Sequence, residues 1–164
     1  MRKVFFSFHY QNDIFRANVV RKSGVPAGSS WAAGFEDRSM WEEARTRNDR
    51  RLARMIADAL HGTSVTVVLI GEETADRYWV GYEIVKSWEL GKGILGIRIH
   101  GIRDMRTGRM SRAGPSPFDG LWVTDEDGTE VELSRHVRVY DWVGDCGRQN
   151  FADWVEQAAA DAGR

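Results

Sequence analysis

Buried-type runs of apolar residues alternate with stretches of helical period along most of the chain. Lys3 to Phe8, KVFFSF, is apolar at nearly every position and rich in β-formers, which suits a strand covered on both faces of a parallel sheet. Asn12 or Asp13 is placed to cap a helix through Ile14, Phe15, Ala17, Val19 and Val20, and Gly24-Val25-Pro26 ends it. From Arg47 to Leu60, the residues Leu52, Ala53, Met55, Ile56, Ala59 and Leu60 form a helical stripe closed by His61-Gly62. Thr63 to Ile70 reads as a second buried strand, and Gly71 to Tyr78 as a loop at its carboxyl edge, where open α/β sheets bind ligands.

A helix beginning near Trp79 and a strand from Ile94 to His100 come next. Leu121 to Val123 and Glu130 to Leu133 suit a small hairpin across the turn Asp125-Glu126-Asp127-Gly128. Val137 to Trp142 reads as a last strand, and Phe151, Trp154, Val155, Ala158 and Ala159 as a closing amphipathic helix. Residues 24 to 46 have no clear period; Gly34 to Asp37 is read as a crossing over the sheet edge with a short second strand nearby. The order predicts one domain over residues 1–164, an α/β fold of flavodoxin type with a doubly wound, mostly parallel five-stranded sheet and helices on both faces.

Composition narrows the function. Lys plus Arg is 23 and Asp plus Glu 24, so a net charge of −1 gives no general field for nucleic acid or an anionic membrane. The charge is patchy, however: Arg45, Arg47, Arg50, Arg51 and Arg54 crowd one segment, Arg98, Arg103, Arg106, Arg109 and Arg112 another, and Asp125 to Glu132 is acidic. Arginine clusters of this kind are either solvated faces or receivers of phosphate groups. The single cysteine, Cys146, makes no internal disulfide, and MRKVFFSFHY leads straight into a strand, so a cytoplasmic protein is expected. No apolar run approaches the ~18 to 20 residues of a membrane-spanning helix.

Two features invite chemistry. On the Trp79 helix, Val80, Ile84, Val85 and Trp88 gather into one apolar arc, with Gly81 inside it for close backbone approach. Glu83 falls just outside that arc, one turn after Trp79; in a fold of this type the loop after the first strand, Ser7 to Asp13, meets the loop into this helix above the sheet, which places Glu83 near Ser7 and His9. From spacing alone the favoured reading is a first-turn acid stabilised by the helix dipole, with Trp79 covering the rim of the core. Gly91, Gly93 and Gly96 match the spacing of a dinucleotide fingerprint, but a helix precedes them and a strand follows, the reverse of what that fingerprint needs. They read instead as a helix C-cap and a tight αβ connection. His61, His100 and His136 are too scattered to suggest a metal site.

The Trp-x-x-x-Glu spacing of Trp79 and Glu83 resembles the helix motif of Toll/interleukin-1 receptor (TIR) domains. Phe5-Phe6-Ser7-Phe8 with the downstream Asp13 resembles their first-strand box. More narrowly, FFSFHYQNDIFRANVVR, WVGYEI and GKGILGIRIH are similar to the TIR-like family of Thoeris antiphage defence systems, over roughly residues 3 to 100. The chain departs from other TIR enzymes in carrying Val80 where they have Cys after the motif tryptophan. The segment 24 to 46 also differs from their assembly loop.

The resemblance implies an enzyme that cleaves the nicotinamide–ribose bond of NAD and makes an ADP-ribose-derived, cyclic signal for a partner effector, silent until triggered. It makes Glu83 the catalytic residue. Ser7, Phe8, His9, Asp37 and Trp79 are the candidate substrate contacts, NAD is substrate rather than cofactor, no metal is required, and self-association is implied. The other reading is a non-catalytic TIR-like module that binds a partner or nucleotide, with Trp31, Phe35 and Trp41 as contact residues.

Overall fold

The computed structural model describes residues 2–23 and 49–164. In chain order these form β1 (Val4–Ser7), α1 (Tyr10–Ser23), α2 (Asp49–Leu60), β2 (Val65–Ile70), α3 (Tyr78–Glu89), β3 (Gly93–Arg98), β4 (Trp122–Thr124), β5 (Glu130–Glu132), β6 (Arg138–Asp141) and α4 (Gly147–Asp161). The main sheet has the order β1-β2-β3-β6, every pair parallel, and β4 and β5 form a separate antiparallel hairpin. Among the described residues the main sheet therefore has four strands rather than five. The second strand expected near Gly34 to Asp37 lies outside the described residues.

Alternation along the strands divides the core into two layers. Val4, Phe6 and Phe8 of the first strand region, with Val65, Val67, Leu69, Leu95, Ile97 and Ile99, pack against Ala17 and Val20 of α1 and Phe151, Trp154 and Val155 of α4. On the opposite face Phe5 meets Leu52, Ile56 and Leu60 of α2, while Val68, Ile70 and Ile94 meet Val80 and Ile84 of α3. Helices thus cover both faces, as expected of a doubly wound sheet. Among the described residues no helix is long and apolar enough to cross a membrane.

Several local expectations need correction. α1 begins at Tyr10, ahead of Asn12 and Asp13, and its cap is His9: the ring Nδ1 accepts from the Asn12 backbone N–H at 3.2 Å. A buried imidazole thus does what a short polar side chain usually does at this position. Gly81 was expected to permit a close approach, yet the space a Cβ would fill there is open. In GKGILG the close approaches fall at Gly93, where a Cβ would lie 2.4 Å from the Ala158 carbonyl oxygen, and at Gly96, where it would meet the Phe118 ring at 2.7 Å. Gly91, with φ of +61°, turns the chain after α3, in keeping with the C-cap reading.

The segment after β3 folds over the carboxyl edge of the sheet. Arg16 of α1, buried, donates through Nε to the Ile102 carbonyl at 2.9 Å and through Nη2 to the Arg109 carbonyl at 3.2 Å. Arg98 Nη1 donates to the Gly114 carbonyl at 2.7 Å, and Gly114 is pressed so closely on Gly71 and Glu72 that a Cβ would lie 2.3 Å from the Gly71 oxygen. Phe118, fully buried, then joins the layer with Ile70, Val80 and Ile84.

Candidate functional site

Trp79 and Glu83 are one helical turn apart on α3, and Phe5 and Ser7 are two residues apart on one face of β1, so the two pairs meet across the layer. Trp79 packs, half-buried, against the cluster of Phe5, Leu52, Ile56 and Leu60, with its ring edge-on to Tyr82 at 5.2 Å between centroids. Glu83 is 1% exposed, and its Oε2 accepts a hydrogen bond from the Ser7 hydroxyl. The periodicity put Glu83 at the border of the apolar arc. It faces the end of β1, beside Ser7 as the meeting of the two loops above the sheet implied, and α3 lies over β1 as well as over β2 and β3.

Around this contact runs a seam of buried hydroxyls. Ser87, one turn after Glu83, donates to the Glu83 carbonyl at 2.7 Å, and its Oγ lies 2.7 Å from the Thr66 hydroxyl on β2. Ser7, Thr66 and Ser87 are all fully buried. Taking a carboxylate out of water costs several kcal/mol unless protein dipoles replace the water, and Ser7 supplies one such dipole. The sequence reading did not single out Thr66 or Ser87; the i, i+4 spacing of Glu83 and Ser87 was the available signal.

The other expected contacts distribute as follows. Phe8 is buried in the α1 and α4 layer, on the face of the sheet away from Glu83. His9, 3% exposed, caps α1 through Nδ1, and its Nε2 lies 3.8 Å from Glu73 Oε2. With Nδ1 accepting, the neutral ring carries its proton on Nε2, directed at the loop after β2. Asp37 lies outside the described residues, as do Trp31, Phe35 and Trp41. The structure thus brings Ser7 and Glu83 into contact and sets His9 two residues further along the same strand end.

Asp13 and Arg16 brace this edge. Arg16 Nη1 lies 3.3 Å from Asp13 Oδ1, whereas Asp13 Oδ2 is buried without a hydrogen-bond partner, close enough to Gly71 that a Cβ there would come within 2.1 Å. Burial raises the Asp13 carboxyl to about 6, Arg16 pulls it back, and Glu73 and Asp104 add to the rise. Asp104 accepts three hydrogen bonds from Arg106, whose guanidinium and backbone N–H hold it down at about 2. The i, i+3 spacing of Asp13 and Arg16 carried the hint of this pair.

Comparison with known proteins identifies the family. Residues 5–104 match the family model described as Thoeris protein ThsB, TIR-like domain. A protein of Bacillus cereus (strain MSX-D12) named "Putative cyclic ADP-D-ribose synthase ThsB1" is 40% identical over 190 aligned positions, covering 94% of this chain and 98% of that protein. The matched region runs from Phe5 of β1 through α3 to Asp104 and so contains both Ser7 and Glu83. On the family match and this near full-length relative, the chain belongs to the ThsB TIR-like family of Thoeris systems.

Proposed function

We propose that this chain cleaves the bond between nicotinamide and ribose in NAD and releases an ADP-ribose-derived, cyclic product that a partner effector protein reads as a signal in antiviral defence. The observation that carries the reading is the buried Glu83 carboxylate, held by Ser7 at the carboxyl edge of the sheet. The naming of the Bacillus relative as a cyclic ADP-D-ribose synthase supports it.

The chemistry asks little of the protein beyond charge placement. As the C1′–N bond breaks, its electron pair goes to the pyridinium nitrogen, so nicotinamide departs neutral and positive charge develops on the ribose. Glu83, accepting from the ribose hydroxyls, stabilises that charge without forming a bond. Preorganised electrostatic contacts of this type are worth roughly 10² to 10³ in rate. An atom of the ADP-ribose itself then attacks C1′ and gives up a proton, closing the ring; water attacking in its place gives linear ADP-ribose. Ser7 positions the carboxylate, and His9 and Trp79 border the same strand end.

Lysates of phage-challenged cells expressing the protein, incubated with NAD and read by nicotinamide release and product mass, test the reading. Wild type gives nicotinamide in equal amount to the ADP-ribose product, and Glu83→Gln gives neither. Nicotinamide release that persists in Glu83→Gln would contradict the role of Glu83.

A further inference from the structure

Among the described residues, three buried side-chain polar atoms lack a hydrogen-bond partner: Asp13 Oδ2, His100 Nδ1 and Ser111 Oγ. All three lie at the carboxyl edge, and two belong to a single loop. Native interiors leave few such groups unpaired, and each one calls for a ligand, a water or a working role. The Ser111 backbone N–H donates to the His100 carbonyl at 3.0 Å, so the two unpaired atoms stand on adjacent limbs of the loop.

The same loop carries the densest positive charge of the edge. Between Arg98 and Arg112 the sequence has five arginines and one acid, Asp104. Some of that charge is already committed: Arg98 to the Gly114 carbonyl, Arg103 to the Gly108 carbonyl, and Arg106 to Asp104 and the face of Phe15. Arg112 is exposed, directly follows Ser111, and stands two residues from Gly114, the residue pressed on the Gly71–Glu72 exit of β2.

Sheet geometry puts this loop on the correct side. Alternation along β3 turns Gly96 and Arg98 to the face that α3 covers, the face of Ser7 and Glu83, and His100 follows in the turn two residues beyond the strand. The register Ser7↔Val68↔Gly96 sets His100 two strands across and four residues beyond Ser7. That separation is about 16 Å from strand spacing and rise. A ligand with a ribose at Glu83 needs the length of a dinucleotide to reach it.

We propose that the 100–112 loop is the phosphate-binding element of the dinucleotide site, with the Ser111 hydroxyl, the His100 imidazole and the Arg112 guanidinium donating to a phosphate of the substrate. The identity of the ligand rests on the NAD reading above. His100 is suited to the task because its Nε2 lies 4.0 Å from Asp141 Oδ2. The other oxygen of Asp141 is fixed by the Val143 and Gly144 N–H groups at 3.0 and 2.8 Å. With the ring proton on Nδ1, His100 donates that N–H to an anion. Because Ser111 Oγ and His100 Nδ1 are both buried, binding requires their cover to shift.

Calorimetric titration of the full chain with ADP-ribose, inorganic pyrophosphate and nicotinamide riboside tests the proposal. The double variant Ser111→Ala with Arg112→Ala is expected to bind ADP-ribose and pyrophosphate about tenfold or more weakly, from loss of charge-assisted contacts. Its affinity for nicotinamide riboside, which has the reacting bond but no phosphate, is expected to stay unchanged, as is all binding in the exposed-site control Arg135→Ala. Equal ADP-ribose affinity in wild type and double variant, an equal loss for nicotinamide riboside, or no ADP-ribose binding by wild type overturns the phosphate site. NAD cleavage that persists in Glu83→Gln overturns the catalytic reading instead and leaves the phosphate titrations to stand by themselves.

Discussion

The Ser7 hydroxyl donates to the Glu83 carboxylate across the junction of the first strand and the helix Tyr78–Glu89, seventy-six positions apart in the chain. A hydroxyl at the carboxyl end of the first parallel strand and an acid in the first half of a crossover helix are thereby fixed to one another at the edge where such sheets bind ligands.

Ser7→Ala tests what that bond does. Hydrogen bonds to charged groups are worth about 1.5 to 3 kcal/mol, so a Glu83 without its donor is expected to lower kcat by about tenfold or more. The far-ultraviolet spectrum should stay unchanged, and Ser7→Thr should restore part of the rate. A Ser7→Ala enzyme of full kcat would mean that Glu83 is positioned by other contacts.

Asp13 gives a pH signature. Its carboxyl is raised to about 6, so the folded chain holds this proton more tightly than the unfolded chain, whose ordinary value is 3.8. Stability contributed by this group is therefore present at low pH and is lost as pH rises from about 4 through about 6. Asp13→Asn removes the dependence: stability near wild type at about pH 4, and higher by up to about 3 kcal/mol at about pH 7. Urea unfolding at the two pH values checks this, and an unaltered pH slope in the variant would contradict it.

Gly96 sits under the Phe118 ring, with Ile70 and Val139 also within about 3 Å of a Cβ built there. Gly96→Ala is expected to cost about 1 to 3 kcal/mol by overpacking. Pairing it with Phe118→Leu should recover part of that loss, because the flat ring is the nearest obstacle. Thermal unfolding of the single and double variants measures both, and an additive double variant would show that the ring is not the obstacle.

Much of the scaffold was legible because buried parallel strands announce themselves as continuous apolar runs: KVFFSF, TSVTVVLI and the run beginning at Ile94 each became a strand of the central sheet. The hairpin after Leu121 and the closing helix followed from turn chemistry and period. The site was legible only in part. Periodicity finds the face of a helix but not the strand it crosses, so by itself it left Glu83 a border residue; the fold class, which brings the loop after β1 to the loop into this helix, is what set it near Ser7.

His9 and Asn12 illustrate the same limit, since the cap depends on where the chain bends after the strand and not on which residue has the best capping propensity. The 99–118 segment looked like a polar connection because its work is done through backbone carbonyls, which every residue carries. Nothing in its side-chain pattern marks the carbonyls of Ile102, Arg109 and Gly114 as the ones Arg16 and Arg98 hold.

The measurement that bears most directly on the central claim is mass spectrometry of nucleotides from cells expressing wild type or Glu83→Gln, with and without phage challenge. Cells supply any trigger that the purified protein lacks. An ADP-ribose product with the mass of the cyclic form, present with wild type and absent with Glu83→Gln at equal protein level, is the predicted result. NAD left intact in every condition while the protein still protects the cells would contradict catalysis and make the chain a binding module.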